Sequence, residues 1–392
     1  MDNSSDSWPL NRHTGAVRYF DHNATHPLSA TAKAAWLDAV ERYPANPSSP
    51  HRMGSRAEAA LQQARERLAG WLGCSPFDLV WTSGATEANN AIIQSASRDP
   101  AAEVWFSAIE HPSVLASIQN CWLPGRHRVI PVTRSGVIDL AWLKAEFRQT
   151  KPRAVFLMAA NNETGVLQPW QEALQLCRQH EVKLFCDAAQ WIGKLPAAGL
   201  GECDAVTGCA HKFGGPVGVG FMKCPPGFSA SIVGGPQEDG RRAGTENVAG
   251  VLSMVAALAE REEAMKNGAA EMRLVVRDRF LAELANAMPS IEVVGGAMPR
   301  LWNTVSVIMP MAPDCRHRWV VKLDKRGFAV STGSACSSGK EKPSHVLSTM
   351  GFGAGESSRM IRLSAGWETS LDDWEELRMA MVTVAAEMGR DG

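Results

Sequence analysis

The sequence predicts an α/β fold: a large domain on a mostly parallel mixed sheet, followed by a smaller α+β domain. Two patterns and a length carry this. From residue 17 to about 250, short apolar runs alternate with segments of helical length and period. From 251 the alternation gives way to long amphipathic stretches. At 392 residues the chain is long enough for two sizeable cores.

In chain order, DLVWTSG, AEVWFSAIE, HRVIPV, RAVFLMAA, VKLFCDAA, CDAVTGCA and GVGFMK read as strands. Several are rich in β-branched or aromatic residues. Between them, SRAEAALQQARERLAGWLG and QPWQEALQLCRQH have helical length and period. VLSMVAALAEREEAMKNGAAEMRLVVRDRFLAELANAM then predicts one or two long helices. TVSVIMP, RGFAVST and IRLSAG follow as the β part of the small domain, and DDWEELRMAMVTVAAEM as a final helix. The expected domains are 17–250 and 251–392, with 1–16 packing on the smaller one.

Hydrophobic residues make up 45% and charged residues 21%, as in an ordinary globular protein. The formal net charge of −1 gives no surplus of either sign for nucleic acid or an anionic membrane. No apolar run approaches the roughly 18 residues that span a bilayer. The start, MDNSSDSWPLNRHTG, lacks a signal pattern, so a cytoplasmic location is expected. Nine cysteines without a CxxC suggest neither a disulfide framework nor a zinc site, and no metal is expected. Most of them stand in apolar surroundings and read as small buried hydrophobes.

Five stretches and one arginine could carry chemistry. In TSGATEANN a strand ends at Ser83-Gly84 and Thr86 opens a helix, whose N-terminus suits a phosphate. The same pattern fits a plain cap by Thr86 and Glu87. In CDAAQ, Asp187 follows a strand directly, either as a turn residue or as a partner for a pyridine nitrogen. In GCAHKFGGPVGVG, Lys212 sits in a glycine-rich loop, either as a surface charge or as a lysine able to condense with a carbonyl. In STGSACSSGKEKPSHVL, Cys336 stands among Ser, Gly and Lys, unlike the other cysteines. It reads as an incidental surface thiol or as a reactive one. RRAGTENV places Arg242 and Thr245 in a turn before a helix, a plausible anion contact. Arg362 in IRLSAG is a single arginine in an apolar run, the kind that pairs with a carboxylate of protein or substrate.

Taken together and in order, eleven segments closely resemble the cysteine desulfurases of the NifS and IscS type, in the class V aminotransferase group. They are YFDHNATHPL, NPSSPHRMGSRAEAA, TSGATEANN, EHPSVL, NNETGVLQP, DAAQWIGKLP, AHKFGGPVGVG, RRAGTENVAG, STGSACSS, SHVL and IRLSAG, from about residue 19 to 366. The resemblance implies the aminotransferase-like architecture called fold type I, with pyridoxal 5'-phosphate held in the large domain and the cysteine loop on the small one. Lys212 resembles the lysine that bonds the cofactor, and Asp187 the partner of its pyridine nitrogen. Gln190 resembles the contact to its phenolic oxygen. His111 matches the imidazole stacked on its ring, which helps move protons. Ala85, Thr86 and His211 match the phosphate cup, and Cys209 stands where the family commonly has Ser. Thr245 matches a phosphate contact given across the interface of a homodimer. Asn162 and Arg362 match the groups that hold the substrate carboxylate.

Cys336 matches the nucleophile that takes sulfur from L-cysteine as a persulfide, leaving L-alanine, on the branch with a long cysteine loop. The implied partner is a sulfur-acceptor protein: an iron–sulfur scaffold, a tRNA thiolation protein or a cofactor-biosynthesis protein. A selenocysteine lyase or a cystine or cysteine C–S lyase is the neighbouring alternative. A transaminase is disfavoured by Cys336, and a non-catalytic assembly scaffold by Lys212, His111 and Cys336. Departures include Cys209, Trp367 in place of a common Arg, and the stretch containing Cys315. They are expected to bear on substrate and partner choice, apart from the phosphate contact at Cys209.

Overall fold

Each of the seven apolar runs read as a strand is one, and all seven lie in a single sheet. The computed structural model describes residues 17–99, 101–311, 315–332 and 344–390. Strand β1 (Arg18–Tyr19) comes first. The seven runs form β2 (Leu79–Thr82), β3 (Val104–Ser107), β4 (His127–Ile130), β5 (Ala154–Met158), β6 (Lys183–Asp187), β7 (Ala205–Cys209) and β8 (Gly220–Lys223). Across the sheet they run β2-β8-β7-β6-β5-β3-β4. β8 is antiparallel to β2 and β7, and the remaining pairings are parallel. A parallel sheet is covered on both faces, so its strands need not alternate. Accordingly β2, β3, β5 and β7 are buried at every position.

The covering helices follow the expected stripes. Helix Arg52–Leu72 buries Ala57, Leu61, Ala64, Leu68 and Leu72, spaced three and four apart. The His51 ring caps its start, and Gly73 ends it at φ 77°, the left-handed turn that glycine takes at least cost. Helix Trp170–Gln179 buries Trp170, Ala173, Leu174 and Cys177 against the same sheet.

The second β layer is small. β9 (Glu292–Val293), β10 (Thr304–Ile308) and β12 (Met360–Ser364) pair antiparallel in the order β12-β10-β9. RGFAVST yields only β11 (Phe328–Ala329), parallel to β1, and a bridge from Ser331 to Arg362. The long amphipathic stretch breaks at Gly268, φ 74°, into helices Val248–Lys266 and Ala269–Ala287. The first packs Val251, Met254, Val255 and Leu258 into the core of the large sheet. The second packs Phe280, Leu281 and Leu284 with Val305, Leu363 and Trp374 in the other core. The boundary expected at 250 thus falls within a helix of the large layer, and the two cores part near Gly268. Phe20 joins the smaller core; residues 1–16 lie outside the described residues. Among the described residues no helix is long and apolar enough to cross a membrane.

Candidate active site

A cavity of about 790 Å³ opens beyond the C-terminal ends of the parallel strands, where open α/β sheets place their ligands. Each wall begins at a strand end or a helix start.

β2 leads through Ser83 and Gly84 into helix Ala85–Ala96, and no side chain caps that helix. The plain-cap reading of Glu87 does not hold. Its carboxylate accepts the Ser83 N–H at 2.8 Å and pairs with Arg242 at 2.9 Å. Those hydrogen bonds hold Glu87 below the usual carboxylate range even though burial pushes it up. Arg242, expected as an anion contact, is therefore committed to Glu87. The start of the helix is left as a positive end facing the cavity. Gly220 on β8 makes room for this turn, since a Cβ there would lie 2.6 Å from Gly84 Cα.

β6 ends on Asp187, 9% exposed. Its carboxylate accepts from Asn89 Nδ2 at 2.8 Å and from the Ala189 N–H at 2.9 Å. Thr207 donates to Asn89 Oδ1 at 2.7 Å and so fixes which end of that amide faces Asp187.

β7 ends on Cys209, and the turn Ala210–Lys212 follows. Lys212 Nζ donates to the carbonyls of Asn23 and Ala24 at 2.7 and 2.8 Å. Burial lowers the pKa of this amine. Burial pushes the Cys209 thiol up to about 11. His211 sits 3.2 Å from Thr25 Oγ1 and is pushed down to about 4 by burial, then by Lys212 and Lys194. His111 caps helix Pro112–Cys121, its Nδ1 accepting the Ser113 N–H at 3.1 Å. The neutral ring therefore carries its proton on Nε2. Burial keeps this ring below its ordinary pKa, against the pull of Asp187.

The rim comes from the small sheet and the segment after it. Arg362 on β12 is 1% exposed. It donates to Asp21 at 2.6 Å and to the Asn162 carbonyl at 3.0 Å. Ser344 donates to Glu163 at 2.6 Å and caps helix His345–Thr349.

The cavity brings together Ala85, Thr86, His111, Asn162, Asp187, Gln190, Cys209, His211, Lys212 and Arg362. It does not include Thr245, which is exposed in the turn before helix Val248–Lys266. Cys336 lies outside the described residues. Trp367, read as a departure bearing on substrate choice, is a packing residue. It is 5% exposed, meets Trp302 edge-to-face at 4.7 Å, and donates to the Gly193 carbonyl at 2.8 Å. Cys315 is likewise buried in the smaller core, with Sγ 3.3 Å from the Pro310 carbonyl.

Sequence reasoning missed Asn23, Asn89 and Lys194. Asn89 stood inside TSGATEANN and Lys194 inside DAAQWIGKLP, but neither has local surroundings that mark a site residue. Outside the cavity, His22, His26 and Glu368 come within 4.8 Å of one another. Glu368 is already held by Arg261 at 2.8 Å and His26 at 3.1 Å, an ion-pair cluster joining the N-terminal segment to the residues after β12.

Comparison with known proteins identifies relatives of this chain. The family model for class-V aminotransferases matches residues 18–377. A cysteine desulfurase of Klebsiella pneumoniae is 36% identical over 88% of this chain and 87% of its own. A NifS-like protein of Rickettsia africae superposes with a TM-score of 0.83 at 27% identity, over 94% of this chain and 99% of its own. A structure described as SspA in complex with cysteine superposes with a TM-score of 0.75 at 25% identity, over 90% of this chain and 100% of its own.

Proposed function

This chain belongs to the class-V aminotransferase family, and from that premise we propose that it is a pyridoxal-phosphate-dependent cysteine desulfurase. It converts L-cysteine to L-alanine and passes the sulfur to Cys336. One observation carries the reading: a single cavity unites a partly buried lysine amine, a strand-end carboxylate and an uncapped helix N-terminus. The similarity to cysteine desulfurases supports the substrate.

The residues fit the cofactor. The Lys212 amine meets only carbonyls among the hydrogen bonds described, and the glycine pair at 84 and 220 leaves the helix start open. Lys212 would bond its aldehyde, Asp187 would partner its ring nitrogen, and Gln190 its ring oxygen. Ala85, Thr86 and His211 would take its phosphate, with Cys209 a weaker donor than the family's usual serine and Thr245 of the partner subunit completing the cup. When bound, pyridoxal phosphate supplies an electron sink for a carbanion beside an amine.

The chain's own residues do the rest. Arg362 and Asn162 hold the substrate carboxylate. Lys212, with its lowered pKa, keeps a larger neutral fraction than an exposed lysine and so can take a proton. His111 Nε2 holds or returns one. The Cys336 thiolate attacks the substrate sulfur. An S–S bond forms as the C–S bond breaks, and the electron pair left on carbon takes a proton. Cysteine and thiol thus become alanine and persulfide, with no other reactant. Ser331 bridges to Arg362, and Ser344 lines the cavity. Both ends of the segment bearing Cys336 therefore stand at the rim, which supports this role.

The same reading includes a homodimer, an acceptor protein such as an iron–sulfur scaffold or tRNA thiolation protein, and action in the cytoplasm. The test is incubation with cysteine, scoring alanine, pyruvate and sulfide separately and mapping the gain of one sulfur atom by mass. Alanine with the gain on the Cys336 peptide is expected. Pyruvate and sulfide without that gain would point to a C–S lyase, and selenocysteine turned over in place of cysteine to a selenocysteine lyase.

A further inference from the structure

Lys194 is 2% exposed, an unusual place for a lysine without a carboxylate. Among the described residues no acidic side chain lies within ion-pair distance of it. Its Nζ donates instead to two amide oxygens, Asn23 Oδ1 at 3.0 Å and Gln190 Oε1 at close range. Its backbone is held from behind. Trp302 donates to the Lys194 carbonyl and Trp367 to that of Gly193, each at 2.8 Å.

A lysine ammonium only donates, so the atoms facing Lys194 must be the amide oxygens. That fixes the other end of each amide. Gln190 Nε2 points to the Asn23 carbonyl at 3.0 Å, the same carbonyl that receives Lys212. Asn23 Nδ2 is turned to the Asn162 carbonyl at 3.2 Å and to Thr304 at 2.9 Å. If Lys194 lost its donors, Gln190 could turn over and direct an acceptor where it now directs N–H groups.

We propose that Lys194 is a positioning residue of this site: it holds the Gln190 amide with its N–H groups toward the cavity, and with it the Asn23 carbonyl that receives Lys212. The inference rests on the functional reading above, in which Gln190 meets the cofactor's ring oxygen. Burial, then Lys212 and Arg362, push Lys194 well below its ordinary pKa. Even the neutral amine keeps two N–H groups, one for each amide oxygen, and the amide nitrogens are already engaged on the Asn23 and Asn162 carbonyls, so the same orientation holds.

The test uses the full chain loaded with pyridoxal phosphate and reads the pH midpoint of its visible absorbance. Removing an N–H donor from an ionised ring oxygen leaves the shared proton more tightly held, so the midpoint rises. In Lys194→Met it should rise by about one pH unit, a tenfold change in proton affinity. Lys194→Gln, which keeps an N–H for Gln190 Oε1, should stay near wild type. Gln190→Leu should rise like Lys194→Met, and the double variant should rise no further, because one acts through the other. An unmoved midpoint in Lys194→Met, or additive shifts in the double variant, overturns the inference alone. A wild-type chain that develops no visible band overturns the functional reading as well. Should Lys194→Met not fold, Lys194→Ala, which also lacks a donor for Gln190 Oε1, takes its place: a raised midpoint upholds the role, and an unmoved one overturns it.

Discussion

The floor and the rim of the cavity are built to different rules. On the floor, Asp187, Gln190 and Lys212 each have at least two hydrogen-bond partners, drawn from helix Ala85–Ala96, the segment after β6 and the N-terminal segment. At the rim stand Ser331, Arg362 and Ser344, and in the sequence Cys336 lies between the two serines. Proton transfer and charge stabilisation need groups held to a fraction of an ångström. Sulfur relay needs a thiol that meets the substrate and later a second protein. The floor is where hydrogen bonds over-determine the geometry.

The sharpest way to break this comparison is to remove one group from each region. Lys212→Ala should lose the visible absorbance and reduce alanine formation on the order of a thousandfold or more, read by spectrum and amino-acid analysis. Cys336→Ser should keep the absorbance and lose persulfide on its peptide, read by mass. If that variant still forms persulfide at the wild-type rate, the division between floor and rim fails. A smaller effect sits at the junction. Under the proposed function, Arg362→Lys would remove a two-pronged grip on the substrate carboxylate, worth about 1.5–3 kcal/mol for a charged hydrogen bond. KM for cysteine should rise about tenfold to a hundredfold, with the absorbance kept.

Acid should act first on buried histidines rather than on the ion-paired carboxylate. Burial lowers His22 from 6.5 to about 3 and His211 to about 4. A depressed histidine contributes stability that is complete above 6.5 and lost as pH falls toward its folded value. The melting temperature should therefore decline from about pH 6.5 to 4, and His22→Asn should flatten that decline. Glu368, held near 2 by His26 and Arg261 against its burial, loses its contribution only below its ordinary 4.5. A flat profile down to pH 4.5 in the parent chain would contradict this order. The smallest effect is Trp367→Phe, which deletes one hydrogen bond to the Gly193 carbonyl. It should cost about 1 kcal/mol in denaturant unfolding and leave cysteine KM unchanged, separating a packing role from a substrate-selecting one.

The sheet was legible because buried parallel strands write themselves as apolar runs, and seven such runs gave β2 to β8. Asp187 follows its run directly and Lys212 stands in the loop after β7, but local pattern left each with a plain structural reading, and only the resemblance of the surrounding segments singled them out. Other features lack a local signature. Lys194 looks like any charged residue after a turn, and its burial depends on Asn23, Trp302 and Trp367, all distant in sequence. Helix Val248–Lys266 has an amphipathic pattern that does not say which sheet it covers. Trp367 differed from the family pattern, but what it packs against could be read only from the folded chain. Arg242 suited an anion by composition, yet Glu87 already meets it.

The stitching of the N-terminal segment has a consequence for biosynthesis. β1 pairs with β11, the His22 N–H bonds the Ser364 carbonyl, and Asp21 pairs with Arg362. This segment is thus completed by residues 341 positions further along the chain. Contacts this distant in sequence form slowly, since a long loop must close before they reward it. The large sheet can assemble once β8 has emerged, but Asn23 cannot take its place beneath Lys212 until β12 has been translated. The nascent chain therefore carries its lysine without the wall that seats it until β12 has emerged.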